Sequence, residues 1–168
     1  MTENKKYNKI KAHLAFQGVR SKELAGKLDV TPQTVSKWCT NRGHPSIPQL
    51  YSIAAILKIN AFDLLIPNTN DSFTPKVFSG TNSSNKTYYN RVKYQLAMKG
   101  VRSKELAEKL DITPQTVSKW CTNYSNPSIP ELYAMADALK INAFDLLEPE
   151  PVYPGFNKTS APDASLTT

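Results

Sequence analysis

Apolar residues recur every three or four positions over two long stretches of the chain, the spacing that lines one face of an α-helix. In the first stretch, Ile10 and Leu14, with Phe16 less regularly placed, predict an opening helix that ends near Gly18. Four more helices follow, with inward residues Leu24, Ala25 and Leu28, then Val35 and Trp38, then Leu50, Ile53, Ala54 and Leu57, and last the short segment AFDLLI before Pro67. No stretch alternates apolar and polar residues as a strand does, so the sequence predicts an all-α fold.

Helix start signals agree with this periodicity. Ser21 precedes an apolar run in the manner of an N-cap. Thr31 is followed by Pro32, which suits the first position of a helix because an N–H there has no intrahelical partner. Capping boxes open the fourth helix of each stretch, as Ser-x-x-Gln at 46–49 and as Ser-x-x-Glu at 128–131.

The two stretches are copies of one another. An offset of 82 positions aligns residues 7–65 with 89–147 without a gap, and about 43 of the 59 pairs are identical. The sequence therefore predicts two tandem five-helix domains, at 1–66 and 88–148. It also predicts a flexible linker at 67–87 and a disordered tail at 149–168, because both segments are polar and lack apolar periodicity.

The net charge of +7 favours a polyanionic partner, although a basic surplus alone fits simple solubility equally well. The surplus is unevenly shared. Residues 1–66 contain ten Lys or Arg and four Asp or Glu, whereas residues 86–148 contain nine and seven. We therefore expect the second domain by itself to bind a polyanion more weakly than the first.

Several other classes of protein are disfavoured. The N-terminus is polar, and no window holds the roughly 18 apolar residues of a membrane span, so we expect a cytoplasmic, nucleoid-associated protein without membrane contact. Cys39 and Cys121 are repeat equivalents in different domains, which predicts free thiols. No metal, cofactor or catalytic residue is expected, because each copy has one cysteine, at most two histidines and no nucleophile beside a base.

The segment TPQTVSKWCTN occurs at 31–41 and again at 113–123 without a change. Buried positions tolerate substitutions of similar volume, so packing alone does not require this identity. The polar positions are candidates for a contact that both copies make; a recent duplication is the alternative explanation. Divergence has begun just beyond the segment, where Arg-Gly-His at 42–44 corresponds to Tyr-Ser-Asn at 124–126.

Each copy resembles the helix-turn-helix domain of the phage-repressor and Cro type. The resemblance rests on ELA before a short turn, then Thr-x-x-x-Val-x-x-Trp, then Pro-Ser opening a helix that leads to FDLL. Asp29 and Asp111 stand where the family's turn commonly has Gly, and Asn41 and Asn123 where Gly commonly ends the third helix. Asp and Asn adopt positive φ more readily than most residues, so both turns can form.

The resemblance implies that the third helix enters the major groove of double-stranded DNA and reads bases near its N-terminus. By position, the implied readers are Gln33, Thr34 and Lys37, with Gln115, Thr116 and Lys119 in the second copy. Gln can pair with adenine and Lys with guanine, and a Thr methyl can contact thymine. Phosphate contacts are implied for Arg20, Ser21, Lys22, Asn41 and Arg42, and for Arg102, Ser103, Lys104 and Asn123.

These features favour a sequence-specific transcriptional regulator, in the first place a repressor, that reads two like half-sites. Such half-sites lie about 34 Å apart. The 23 residues from 66 to 88 would span, as a random coil, about 24–29 Å on average and more when stretched. One chain could therefore act as a pseudo-dimer, and a homodimer with four recognition helices is the variant. The alternative function is a protein-interaction module such as an antitoxin or an adaptor, with the PEPVYP segment of the tail as a ligand for its partner.

Overall fold

The computed structural model describes residues 5–68 and 88–149, and the predicted all-α fold with two tandem helical domains is confirmed. The first domain contains α1 (Ile10–Phe16), α2 (Ser21–Lys27), α3 (Pro32–Cys39), α4 (Ile47–Leu57) and the 3-10 helix η1 (Ala61–Leu64). The second contains α5 (Val92–Lys99), α6 (Ser103–Lys109), α7 (Pro114–Cys121), α8 (Ile129–Leu139) and the 3-10 helix η2 (Ala143–Leu146). The predicted linker and tail lie outside the described residues, except for Pro67, Asn68 and Pro149.

Each domain has a small apolar core formed by the predicted inward residues. In the first domain, Ile10, Leu24 and Val35 have no exposed surface, and Trp38 is buried beneath α3. Phe16 corrects the prediction, because 90% of its surface is exposed. It lies two residues after the buried Leu14, and two residues are about 200° of rotation around a helix, which turns its side chain away from the core.

The caps largely follow the sequence signals. In the capping box at α4, the Gln49 N–H donates to Ser46 Oγ (3.4 Å) and the Ser46 N–H donates to Gln49 Oε1 (2.9 Å). The corresponding box at α8 is also present. The prediction that Ser21 is an N-cap is wrong. α2 begins at Ser21 itself, because the carbonyl of Arg20 already accepts the N–H groups of the first turn.

The ends of each domain are joined by a short pairing of extended backbone. Asn8 forms an antiparallel bridge with Leu65, and Asn90 forms the equivalent bridge with Leu147. Leu65 is extended, with φ −104° and ψ 157°, so the last predicted helix is only the four-residue η1. This pairing fixes the segment before α1 against the end of the domain.

The two domains pack against each other through equivalent residues. The hydroxyl of Tyr51 donates to the carbonyl of Glu148. Tyr133, which is the repeat equivalent of Tyr51, donates to the carbonyl of Ile66, which is the equivalent of Glu148. Because each domain provides the donor of one bond and the acceptor of the other, the contact is reciprocal.

Aromatic rings line the same interface. Phe62 contacts Phe144, its own repeat equivalent, with ring centroids 5.5 Å apart. Tyr7 meets Tyr133 edge to face at 4.9 Å, and Tyr89 meets Tyr51 at 5.8 Å. Burial is the main cause that raises the pKa of Tyr133 far above its ordinary value, so its hydroxyl remains a proton donor. The domains are thus joined by aromatic contacts and by partly buried hydrogen bonds from the hydroxyls of Tyr51 and Tyr133.

Asn68 and Lys5 make further contacts between the domains. The Asn68 side chain accepts the N–H of Ala143 (2.9 Å) and donates to the carbonyl of Ile141 (3.1 Å). Lys5 lies 3.7 Å from Asp137 in an exposed ion pair. In the sequence, the positions equivalent to Lys5 and Asp137 are threonine and alanine, so this pair cannot be repeated on the other side.

Candidate nucleic-acid interface

The helix-turn-helix unit of each domain is formed by two short helices around a tight turn. Ala25, 1% exposed, allows α2 and α3 to approach closely. The turn between them requires positive φ at Asp29 (54°), and Asp111 has the same conformation (53°) in the second domain. The sequence prediction that aspartate replaces glycine in this turn is therefore confirmed.

α3 separates a buried face from a polar one. Val35 and Trp38 face the core, whereas Gln33, Ser36 and Lys37 are exposed. The equivalent residues of α7 have the same burial pattern, with Gln115, Ser118 and Lys119 exposed. The exposed faces of α3 and α7 therefore present the same side chains at equivalent positions of the helix.

Thr34 is held more firmly than its neighbours on this face. Its hydroxyl lies 2.9 Å from the hydroxyl of Thr31, the N-cap residue, which also accepts the backbone N–H of Thr34 (3.2 Å). Thr116 and Thr113 repeat both distances. Because the hydroxyl is used in the cap, the methyl group is the part of Thr34 that is best suited to contact a base.

Cationic side chains flank the polar face. Arg20 and Lys22 are exposed around the start of α2, Arg42 is exposed just after α3, and Ser21 is half-buried. In the second domain, Arg102 and Lys104 are exposed and Ser103 is half-buried. Tyr124, 80% exposed, stands in the place of Arg42, so the second domain has one cation fewer at this edge.

Asn41 and Asn123, which are predicted to contact phosphates, also have a structural role. The amide oxygen of Asn41 accepts the backbone N–H groups of Tyr7 (3.0 Å) and Asn8 (3.2 Å) and the side-chain amide of Asn8 (3.0 Å). Asn41 is only 8% exposed, and Asn123 makes the equivalent bonds. These amides hold the segments before α1 and α5 in place, and their phosphate contacts stay a prediction. Their positive φ values (53° and 50°) agree with the predicted left-handed caps.

Asn8 and Asn90 are structural residues that the sequence reasoning missed. The Asn8 amide donates to the carbonyl of Trp38 (3.2 Å), whereas that of Asn90 donates to Asn126 Oδ1 (2.9 Å). Both therefore tie the segment before the first helix to the end of the recognition helix. The available signal was the Tyr-Asn pair, which is identical in the two copies although the helix after it has diverged.

His44 occupies the place of Asn126 in the first domain. Its ring meets Tyr7 edge to face at 5.2 Å, and its Nδ1 is buried with no hydrogen-bond partner in the described part of the chain. Burial lowers the pKa of His44 below its ordinary value, because the charged ring would lose hydration. The first domain is thus less completely hydrogen-bonded at this corner than the second.

The cysteines lie near the polar face but are poorly suited to reaction. Cys39 and Cys121 are free and half-buried. Burial raises the pKa of both thiols above the usual value. The nearby hydroxyls of Ser21 and Ser103 lower the pKa, but by less than burial raises it. Within residues 5–68 and 88–149, no group of three or more potential metal ligands is found. No helix in those ranges is both long and apolar enough to cross a bilayer.

The comparisons with known proteins agree with this geometry. A family model described as helix-turn-helix matches residues 17–64 and 92–146, which is most of both domains. The chain therefore belongs to the helix-turn-helix family of the repressor and Cro type, a family of DNA-binding domains.

One solved structure that is similar to this chain comes from Bacteroides fragilis and is described as a candidate DNA-binding protein. It is 30% identical over 35% of this chain and 95% of its own, with a TM-score of 0.35. No curated protein matches the chain.

Proposed function

We propose that the protein is a sequence-specific transcriptional regulator that reads two like half-sites in double-stranded DNA, one with α3 and one with α7. The observation that carries this proposal is the pair of identical exposed polar faces on two domains that pack together. Repression by occupying a promoter is the simplest mode of action for a chain of this kind.

Base reading is assigned to the exposed N-terminal half of each recognition helix. Gln33 and Gln115 are assigned to adenine, and Lys37 and Lys119 to guanine, because their side chains are exposed and have the required donors and acceptors. Thr34 and Thr116 are assigned to thymine through their methyl groups, since their hydroxyls are used in the caps. Both copies would then specify the same bases.

Phosphate contacts are assigned to the exposed residues on either side of each recognition helix. In the first domain these are Arg20, Lys22 and Arg42, with the half-buried Ser21 beside them. In the second domain they are Arg102, Ser103 and Lys104. Such contacts orient a protein on the duplex without reading its sequence.

One chain is proposed to occupy one operator as a pseudo-dimer. The two hydroxyl bonds and the Phe62–Phe144 contact within a single chain support this stoichiometry. Analytical ultracentrifugation of the protein with a minimal operator duplex tests it. One chain per duplex is expected, and two chains per duplex would favour the homodimer with four recognition helices.

Selection from a randomised duplex library, followed by gel-shift titration of the selected site, tests base reading. Gln33→Ala and Gln115→Ala should each weaken binding by about 1–3 kcal/mol and relax the preference at one position of the corresponding half-site. Thermal unfolding should stay unchanged, because both glutamines are exposed. Sequence preference that survives both substitutions would contradict base reading and favour a protein-interaction role. A reporter gene placed behind the selected site distinguishes repression from activation.

A further inference from the structure

We infer that the two half-sites are inverted with respect to each other, so that the operator is an imperfect palindrome rather than a direct repeat. This inference rests on the proposed function, namely that both α3 and α7 read DNA. It concerns the geometry of the interface between the domains, which the sequence alone left open.

The contact between the domains has the reciprocity of a two-fold axis. Tyr51 donates to a carbonyl of the second domain, and its equivalent Tyr133 donates to the equivalent carbonyl of the first. The ring contacts repeat the relation, since Tyr7 meets Tyr133 while Tyr89 meets Tyr51. An interface in which residue i of one domain meets j of the other, and j meets i, is called isologous. The two sides of such an interface are related by a rotation of 180°.

Phe62 and Phe144 locate the axis. They are repeat equivalents, and their rings contact each other directly at 5.5 Å. Under a two-fold rotation, a residue can touch its own equivalent only when both lie close to the axis. The axis therefore passes between η1 and η2, where the two domains meet.

A direct repeat would require a different interface. Two domains that read direct repeats are related by a translation along the duplex combined with a rotation about it, and their contact is head to tail. Tyr51 could then meet the position of Glu148 in its neighbour, but Tyr133 could not also meet the position of Ile66. Because both bonds are present, the head-to-tail relation does not describe this chain.

The inverted half-sites follow from the symmetry of the two partners. A duplex has local two-fold axes perpendicular to its length, and operator palindromy reflects the two-fold symmetry of the protein. α3 and α7 carry the same exposed polar residues, so the two half-sites should contain the same bases at the positions that these residues contact. Arg42 and Tyr124, at equivalent edges, should make the two halves differ in affinity rather than in sequence.

Gel-shift titration with synthetic duplexes tests the orientation, using the half-site obtained by selection on the full chain. The probes hold one half-site, an inverted pair or a direct pair, each pair in a series of spacings. We expect one spacing of the inverted pair to bind at least tenfold more tightly than any direct pair.

The alternative outcomes separate this inference from the proposed function. A direct pair that binds as tightly as the best inverted pair would overturn the inference and leave reading by two helices in place. A single half-site that binds as tightly as any pair would overturn both. Absence of sequence preference on every probe would overturn the proposed function itself.

The double variant Tyr51→Phe and Tyr133→Phe tests whether this interface sets the geometry. It removes both hydroxyl donors and keeps the rings, so each domain should remain folded and affinity for a single half-site should not change. The preference for one spacing over spacings shifted by one or two base pairs should fall severalfold. Tyr124→Phe, which removes an exposed hydroxyl, is the matched control and should retain that preference. An unchanged preference in the double variant would overturn the inference.

Discussion

The two domains differ in the residues that support and flank the recognition helix, while the helix itself is the same. The second domain has a two-pronged ion pair, in which Arg91 Nε and a terminal guanidinium nitrogen lie 3.0 and 3.1 Å from the Glu148 carboxylate. The equivalent positions in the first domain are Lys9 and Ile66. The first domain instead keeps more positive charge and the flanking Arg42. Divergence has thus changed the residues that support and flank this helix but has left its exposed polar positions unchanged.

The largest effect is expected at a feature that the domains share. Asn41→Ala should destabilise the first domain by about 3 kcal/mol, because two backbone N–H groups lose their acceptor and alanine is strained at φ 53°. Asn123→Ala should cost the second domain a similar amount, since the Asn90 amide keeps Asn126 as a partner just as the Asn8 amide keeps the Trp38 carbonyl. Chemical denaturation measures both. A loss of DNA affinity in the folded variant would support the predicted phosphate contact of Asn41, and unchanged affinity would leave Asn41 with its structural role alone.

The ion pair of the second domain should have the next largest effect. Glu148→Gln should lower the free energy of unfolding of this domain by about 2 kcal/mol, because a partly buried guanidinium loses a charge-assisted bond on both prongs. The side chains of Arg91 and Glu148 are 13% and 25% exposed, so solvent screens the pair only in part. Denaturant unfolding measures the loss. Ile66→Gln, at the equivalent position without an ion pair, is the control. Its effect on the free energy of unfolding should depend less on salt concentration than the effect of Glu148→Gln.

His44 provides a smaller difference that depends on pH. Burial holds its folded-state pKa below the ordinary value of 6.5, so the folded first domain binds a proton less readily than the unfolded chain. The contribution of His44 to the free energy of unfolding is therefore complete above pH 6.5, and it is lost as the pH falls through the lowered folded-state pKa. His44→Asn should flatten this dependence and stabilise the domain by about 1 kcal/mol, because asparagine can accept the amide of Asn8 as Asn126 accepts that of Asn90. Thermal melts from pH 8 to pH 5 measure the effect, and a variant as pH-dependent as the parent would contradict it.

The smallest effect is expected at the flanking edge. Arg42→Tyr makes the first domain like the second and should weaken binding about equally for all sequences. It should also reduce the slope of log affinity against log salt by about 0.9, the contribution of one phosphate contact. Tyr124→Arg should raise the slope by a similar amount. Titrations at several salt concentrations measure both, and equal slopes for all three proteins would show that this edge does not meet the duplex.

Local chemistry explains why so much of the fold could be predicted. The helices, the capping boxes and the positive φ of Asp29 and Asn41 depend on neighbouring residues, so they can be recognised from short patterns. The exposed position of Gln33 follows in the same way from its spacing relative to Val35 and Trp38.

Long-range contacts explain what could not be predicted. The role of Asn41 depends on Asn8, 33 positions away, and the role of Tyr51 on a carbonyl 97 positions away. The spacing of apolar residues along α4 does not distinguish Tyr51 from its neighbours beside the apolar stripe. Its pairing with the other domain depends on how two finished domains fit together, which no short window of the sequence contains.

The contact between Phe62 and Phe144 has a consequence for dosage. In the proposed mode, both halves of the DNA-binding unit come from one translation product and need no encounter between subunits. Occupancy of the operator should then rise in proportion to the protein concentration. For a regulator that must first dimerise from scarce monomers, occupancy rises with the square of the monomer concentration. A cell could therefore maintain control with few molecules and with little sensitivity to fluctuations in expression.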